Sequence, residues 1–226
     1  MRTNGMLIAI DGTAGTGKST VGKAVAAKLG YGFLSTGEMY RALAYTVFAK
    51  HIDPDDHDGV LAAAREMRFT FARQPDAALK MFVDGEYLGA KLHLEEVGNV
   101  ASRVSTNGEA RRVLTEKMRE VGMDGGIVME GRDIGTVVFP DADIKFYLDA
   151  SAEERANRRF KQLQEAGEQP NYDEILRLIK ERDHRDKNRA TAPLKPAQDA
   201  IIIDTSLLNL QQVIDAVLEK IPHHAS

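Results

Sequence analysis

Short apolar runs recur along the chain at Leu7 to Asp11, Gly32 to Ser35, Ile127 to Glu130, Ile144 to Leu148 and Ile201 to Asp204. Between them, apolar positions return every three or four residues. That spacing predicts helices over Lys18 to Leu29, Glu38 to Lys50, Leu94 to Ser105, Glu109 to Val121, Ala152 to Ala166, Tyr172 to Asn188 and Asn209 to Ile221. A strand that is apolar on both phases of its alternation needs cover on both faces, and strands separated by helices pair in parallel. The pattern predicts an α/β fold on a parallel sheet. No internal repeat or low-complexity tract interrupts it.

Two stretches break the alternation. Roughly forty residues separate the second helix from the one near Leu94, more than a βα connection uses. Within them, Arg68 to Arg73 and Lys80 to Asp84 read as two β-rich runs, and Asp84-Gly85 opens a further turn. An inserted subdomain over residues 53–95 is expected, serving either as a stabilising excursion or as a cover for a second substrate. The second break, Glu165 to Asn171, holds Gly167, which can end a helix, and Pro170, which prevents its continuation. It predicts a mobile tip.

The first apolar run ends in Gly12-Thr-Ala-Gly-Thr-Gly-Lys-Ser19, the spacing G-x-x-x-x-G-K-[ST]. Its glycines let backbone approach phosphate oxygens, its amides converge on them, and the following helix presents its positive end. In this pattern Lys18 reaches the β- and γ-phosphates and Ser19 ligates Mg²⁺. A random chain of this length matches about once in a hundred, and here the match also lies between a strand and a helix. Asp11, before the loop, and Glu130, at the end of a later buried run, are the carboxylates that could hold the metal directly or through water. Each could equally cap the turn that follows it. No guanine-reading Asn/Thr-Lys-x-Asp segment occurs.

Composition restricts where anions can bind. The 226 residues carry 30 Lys and Arg against 34 Asp and Glu, a formal charge of −4. A global cationic field for nucleic acid or an anionic membrane is absent, so any anion site must be local. With no cysteine, disulfides, Cys-ligated zinc, iron–sulfur centres and thiol nucleophiles are excluded. The histidines at 51, 57, 93, 184, 223 and 224 show no metal-binding spacing. No run approaches the ~18 apolar residues of a membrane span. A soluble cytoplasmic protein is expected.

Local cations are easy to find. At 100° per residue, Ile175, Leu178, Ile179, Arg182, Arg185, Asp186 and Arg189 share a helical stripe about 120° wide. Its first half reads as core. Its second half turns three guanidiniums and a carboxylate the same way, which suits either an exposed helix end with local ion pairs or entry into an anion-filled cleft. Thr36-Gly-Glu-Met-Tyr-Arg41 and Gly131-Arg132-Asp133 follow the C-terminal ends of strands, where ligands bind in open α/β sheets. Ser35 and Glu38 also fit an N-cap box. Arg155, Arg158 and Arg159 cluster before the proposed tip, where a solvated helix face explains them as well. If the acceptor is itself a phosphate, it is largely dianionic and needs no strong base. Charge neutralisation and alignment then carry the transfer.

These segments together are similar to the bacterial cytidylate kinases. The resemblance rests on Asp11 to Thr20, Thr36 to Arg41, Gly131-Arg-Asp-Ile-Gly-Thr-Val-Val-Phe-Pro-Asp141, Glu181-Arg-Asp-His-Arg-Asp-Lys-Asn-Arg189, Ala192-Pro-Leu194 and Asp199-Ala200. It implies a P-loop kinase fold within a single domain, 1–226: a five-stranded parallel sheet flanked by helices, an inserted monophosphate-binding subdomain and a short lid at 155–172. The activity it implies is transfer of the γ-phosphoryl of MgATP to CMP or dCMP, giving ADP and CDP or dCDP. Gly12, Thr13, Ala14, Gly15, Thr16, Gly17, Lys18, Ser19 and Thr20 would hold ATP phosphates, with Arg155, Arg158 and Arg159 near the lid. Thr36, Arg41, Arg132 and Arg189 would gather the CMP phosphate. Ser102, Arg111 and Asp133 would read cytosine, and Arg182 and Asp186 the sugar. Lys18, Arg132, Arg158 and Arg189 would be catalytic. The partners implied are free nucleotides, with neither nucleic acid nor membrane, acting on a monomer.

Two departures from the family pattern stand out. Ser35-Thr36-Gly37 replaces an expected Asp-[Ser/Thr]-Gly, and Glu130-Gly131-Arg132-Asp133 replaces Asp-Gly-Arg-Asp. Two other classes compete with the leading one. A hydroxyl kinase of the shikimate type would share the phosphate loop but needs a base for the acceptor proton. A non-enzymatic nucleotide switch would use its arginines on other anions.

Overall fold

The computed structural model describes residues 2–73 and 79–222, so His223 and His224 lie outside the described residues. From the N-terminus the elements are β1 (Leu7–Gly12), α1 (Lys18–Leu29), β2 (Gly32–Ser35), α2 (Thr36–Ala49), α3 (His57–Glu66), β3 (Phe69–Arg73) and β4 (Leu79–Val83). A 3₁₀ turn (Gly89–His93), α4 (Glu95–Val104), α5 (Gly108–Gly122), β5 (Ile127–Glu130) and a π-helical turn (Ile134–Val138) follow. The chain closes with β6 (Ile144–Asp149), α6 (Ala152–Glu165), α7 (Tyr172–Asn188), β7 (Ile201–Asp204) and α8 (Leu210–Glu219).

Five strands form one sheet in the order β2-β5-β1-β6-β7, and all their pairings are parallel, as the alternation predicts. β1 and β5 are buried at every position, which is why they read as unbroken apolar runs. β7 lies at the edge and leaves Ile202 exposed. Successive residues of β1 face opposite ways. Leu7 and Ala9 join a core with α2, α3 and α5, whereas Ile8 and Ile10 join another with α1 and α8.

The insert differs from its expected content. Besides the antiparallel β3–β4 pair it contains α3, which the sequence reading did not predict. Asp56 caps it by accepting from the Gly59 amide at 3.1 Å, and Val60, Ala63 and Ala64 are buried. The same core that holds Leu34 and Met39 also holds Val60, Met81 and Val83, so the insert packs on the sheet's own core.

A second difference concerns α7. No residue of this helix is buried, and Leu178 is half exposed. The first half of its stripe is therefore not core; Ile175, Leu178 and Ile179 face an open cleft. The cause is the α6–α7 hairpin, whose helices pack on each other through Phe160 and Tyr172 and through Arg155 and Asp183. Gly167, at φ +81°, stands just after α6.

Candidate active site

The cleft, about 1130 Å³, opens at the C-terminal ends of β1, β2 and β5. β1 leads through residues 12–17 into α1. A Cβ on Gly12 would lie 2.0 Å from the Leu148 carbonyl oxygen, so only glycine lets the loop leave the sheet here. Lys18 is buried and turns back on its own loop, donating to the Thr13 carbonyl and reaching Thr16 Oγ1 at 3.4 Å. Burial, then the neighbouring Arg132 charge, pull its ammonium down to about 7.

The carboxylates at this end take separate tasks. Glu130 Oε1 accepts from Ser19 Oγ at 3.0 Å and from Ser35 Oγ at 2.5 Å. Thr36 Oγ1 donates to the Glu130 carbonyl at 3.0 Å. Asp11 is turned away from the loop: its two oxygens accept from the amides of Ile134 at 2.8 Å and Gly135 at 2.7 Å. Burial pushes its carboxyl up to about 6, against the opposing pull of those amides. Of the two carboxylates left open as metal ligands, Glu130 is the one beside Ser19.

Opposite the loop stands a nest of arginines. Arg132 Nε donates to Asp186 Oδ2 at 3.1 Å. Arg111 Nη2 donates to Asp133 Oδ2 at 2.5 Å, and Arg189 Nη2 lies 3.7 Å from the same oxygen without a hydrogen bond. Arg189 is anchored by Nε to the Ala192 carbonyl, and Arg41 by Nη1 to the Leu92 carbonyl at 2.8 Å. The Arg182 guanidinium makes no hydrogen bond or ion pair with any described residue. Partial desolvation against the cleft wall, then Arg132, pull its guanidinium down to about 10, although the residue as a whole is exposed. Arg182 and Arg132 also lower Lys18, so these cations repel one another across the space an anion would fill.

A family model for cytidylate kinase matches residues 8–223. The cytidylate kinase of Pasteurella multocida is 42% identical over 224 residues, covering 98% of this chain and 97% of its own. That of Klebsiella pneumoniae is 43% identical over 221 residues, covering 97% and 96%. The chain belongs to the cytidylate kinase family. A solved structure of an uncharacterised protein from Eubacterium ventriosum shares the fold, with TM-score 0.51, 11% identity and coverage of 95% and 96% of the two chains.

For a cytidylate kinase, the cleft gathers most of the residues expected from sequence. Residues 14–20, Thr36, Arg41, Ser102, Arg111, Arg132, Asp133, Arg182, Asp186 and Arg189 line it together, as do Arg155, Arg158 and Arg159. Gly12 and Thr13 lie beneath the loop and do not line it. Three of the side chains make contacts that the sequence did not indicate, those of Arg155, Arg158 and Ser35.

Arg155 was expected at ATP, but it is buried under the loop. It donates to Asp183 with both terminal nitrogens, to the Ala14 carbonyl and to the Ala150 carbonyl. It acts as a brace between loop and hairpin. Arg158 is tied to Glu154 and to Thr205, while Arg159 is exposed at the rim. Ser35 does not cap α2 with its side chain, so no capping box forms with Glu38; Glu130 accepts its hydroxyl instead.

Sequence reasoning missed two residues of the site. Tyr40 lies under the Arg111 guanidinium, 5.1 Å from carbon to ring centroid, with its phenol pushed up to about 12 by burial. Thr205 holds Arg158 from the end of β7. Tyr40 stands inside the quoted Thr36–Arg41 motif, so a signal existed; Thr205 had none.

Proposed function

We infer that the protein transfers the γ-phosphoryl of ATP to CMP or dCMP. The observation that carries this reading is the placing of cations on both sides of one cleft, Lys18 on one side and Arg182, Arg132 and Arg189 on the other. One side suits the donor phosphates and the other an acceptor that is itself an anion. A phosphate acceptor is ionised near neutrality, so no residue has to remove its proton. The protein's work is to neutralise charge and hold the two phosphates in line.

In this reading residues 14–20, supported from beneath by Gly12 and Thr13, hold the ATP phosphates, Lys18 leaves Thr13 to follow the transferred group, and Arg158 and Arg159 lie on the ATP side. Thr36, Arg41, Arg132 and Arg189 take the acceptor phosphate. Asp133 accepts from the cytosine amine beside Arg111 and Ser102, and Arg182 with Asp186 meets the sugar. Mg²⁺ fits the donor set of Ser19 Oγ and Glu130, hard oxygens at one end of the loop. When bound, Mg²⁺ would offset the negative charge of the phosphates.

The insert at 53–95 serves as the monophosphate-side cover and 155–172 as the lid. The protein works as a monomer in the cytoplasm on free nucleotides, without nucleic acid or membrane. Among the described residues no helix is long and apolar enough to cross a membrane.

The test is ADP formation by purified protein with MgATP and CMP, dCMP, UMP, AMP or shikimate. Turnover with CMP and dCMP is expected. Activity on shikimate alone, or ATP binding with no turnover of either cytidylate, would overturn the reading.

A further inference from the structure

We propose that Asp11, which does not line the cleft, is a positioning residue that keeps the Asp133 carboxylate beside Arg111 and available to the base by capping the turn Asp133 would otherwise cap itself. The inference rests on the cytidylate reading of Asp133. The first amides of any helical turn lack partners within it, and an Asp at the preceding position is among the side chains most apt to supply an acceptor. Asp133 occupies that position before Ile134–Val138, yet it makes no cap bond. Its Oδ2 is held by Arg111, with Arg189 close by. The amides of Ile134 and Gly135 are taken instead by Asp11, from 123 and 124 residues away in sequence.

The surroundings explain why this exchange is stable. Asp11 is the residue before Gly12, so its backbone is fixed in the central strand, and Gly131 N donates to the Ile10 carbonyl at 3.0 Å. The segment carrying Arg132 and Asp133 is thus pinned to β1 on both sides. The Asp11 carboxylate points toward this segment, while the loop that faces ATP begins at the next residue. Loss of the Asp11 acceptors would leave two amides without partners, and Asp133 is the nearest carboxylate able to turn onto them. Its departure from Arg111 would remove base reading without altering residues 12–19.

The experiment compares wild type, Asp11→Asn, Asp133→Ala and the double variant. It measures kcat and KM for CMP and UMP together with the Kd of a non-hydrolysable ATP analogue. Asp11→Asn is expected to lower kcat/KM for CMP at least about tenfold, chiefly through KM, and to reduce the CMP to UMP ratio. The analogue's Kd should change less than about threefold. In the double variant the ratio should be no lower than in Asp133→Ala alone, because the two side chains act on one contact.

A wild-type CMP to UMP ratio in Asp11→Asn overturns the inference. So does a parallel loss of CMP and ATP-analogue affinity, the mark of a merely structural residue. A wild-type protein that does not prefer CMP removes the base-reading role of Asp133, and the inference with it. Should Asp11→Asn fail to fold, Asp11→Glu keeps charge and both acceptors a methylene out of place. It is expected to show a smaller shift of the same ratio at near-normal ATP-analogue affinity, and an unchanged ratio overturns the inference.

Discussion

Lys18 has Arg132 and Arg182 as well as Glu130 and Asp11 near it, and its hydrogen bonds are with its own loop. With the ammonium pulled down to about 7, a large share of it is neutral at about pH 8, and arriving phosphates restore its charge. ATP binding at that pH is therefore expected to take up protons. Calorimetry in buffers of different ionisation enthalpy checks this, and the uptake should vanish in Lys18→Met or well below pH 7. The same substitution should lower kcat by about 10² to 10³, as removal of a donor at developing charge does. Unchanged proton uptake in Lys18→Met would assign the proton to another group. Lys18 was legible because its motif is contiguous. The contact of Ser35 with Glu130 was not, since nothing local says that a hydroxyl donates to a carboxylate 95 positions away. The two positions that depart from the family pattern are thus hydrogen-bonded partners.

At the scale of elements, the hairpin of α6 and α7 shows how one helix can be read correctly in extent and wrongly in environment. Its residues Tyr172–Asn188 follow a helical period, but period does not say what lies opposite a face. The hairpin leans over the cleft because Arg155 joins Asp183 on α7 to the Ala14 carbonyl of the loop. Asp183→Asn leaves a buried guanidinium without its charge partner. Stability is expected to fall on the order of 3 kcal/mol, the low end for a broken buried pair because Asp183 is partly exposed. Urea unfolding checks the figure, and a loss within ±0.5 kcal/mol would place Asp183 with ordinary surface residues. α3 escaped prediction for a related reason. Its buried face is largely alanine, a weak hydrophobic signal, although Asp56 marked its start.

For the whole molecule, an acidic total conceals a cleft whose cations repel one another when it holds no anion. Arg182, next to Arg132 and without an ion pair among the described residues, is one of them, and relief of that repulsion is expected to favour the ligand-free fold. CMP at about 100 times its Kd should raise Tm by about 5 to 10 °C. Arg182→Met should raise the Tm of the empty protein while shrinking the CMP-induced shift. A lower Tm without ligand would mean that Arg182 is held by a partner after all.

The sequence by itself determined the alternation of strands and helices, the parallel sheet, the phosphate loop and the segments that supply arginines. Each of these is carried by near neighbours, through hydrophobic period or contiguous motif. Only the tertiary structure decided which carboxylate serves which purpose, Asp11 at the amides of Ile134 and Gly135 and Glu130 at Ser19 and Ser35. It also decided which arginine is spoken for, Arg155, and which is not, Arg182. Pairing of charges is a contest among groups brought within a few ångströms by the fold, and residues distant along the chain enter it on equal terms with neighbours.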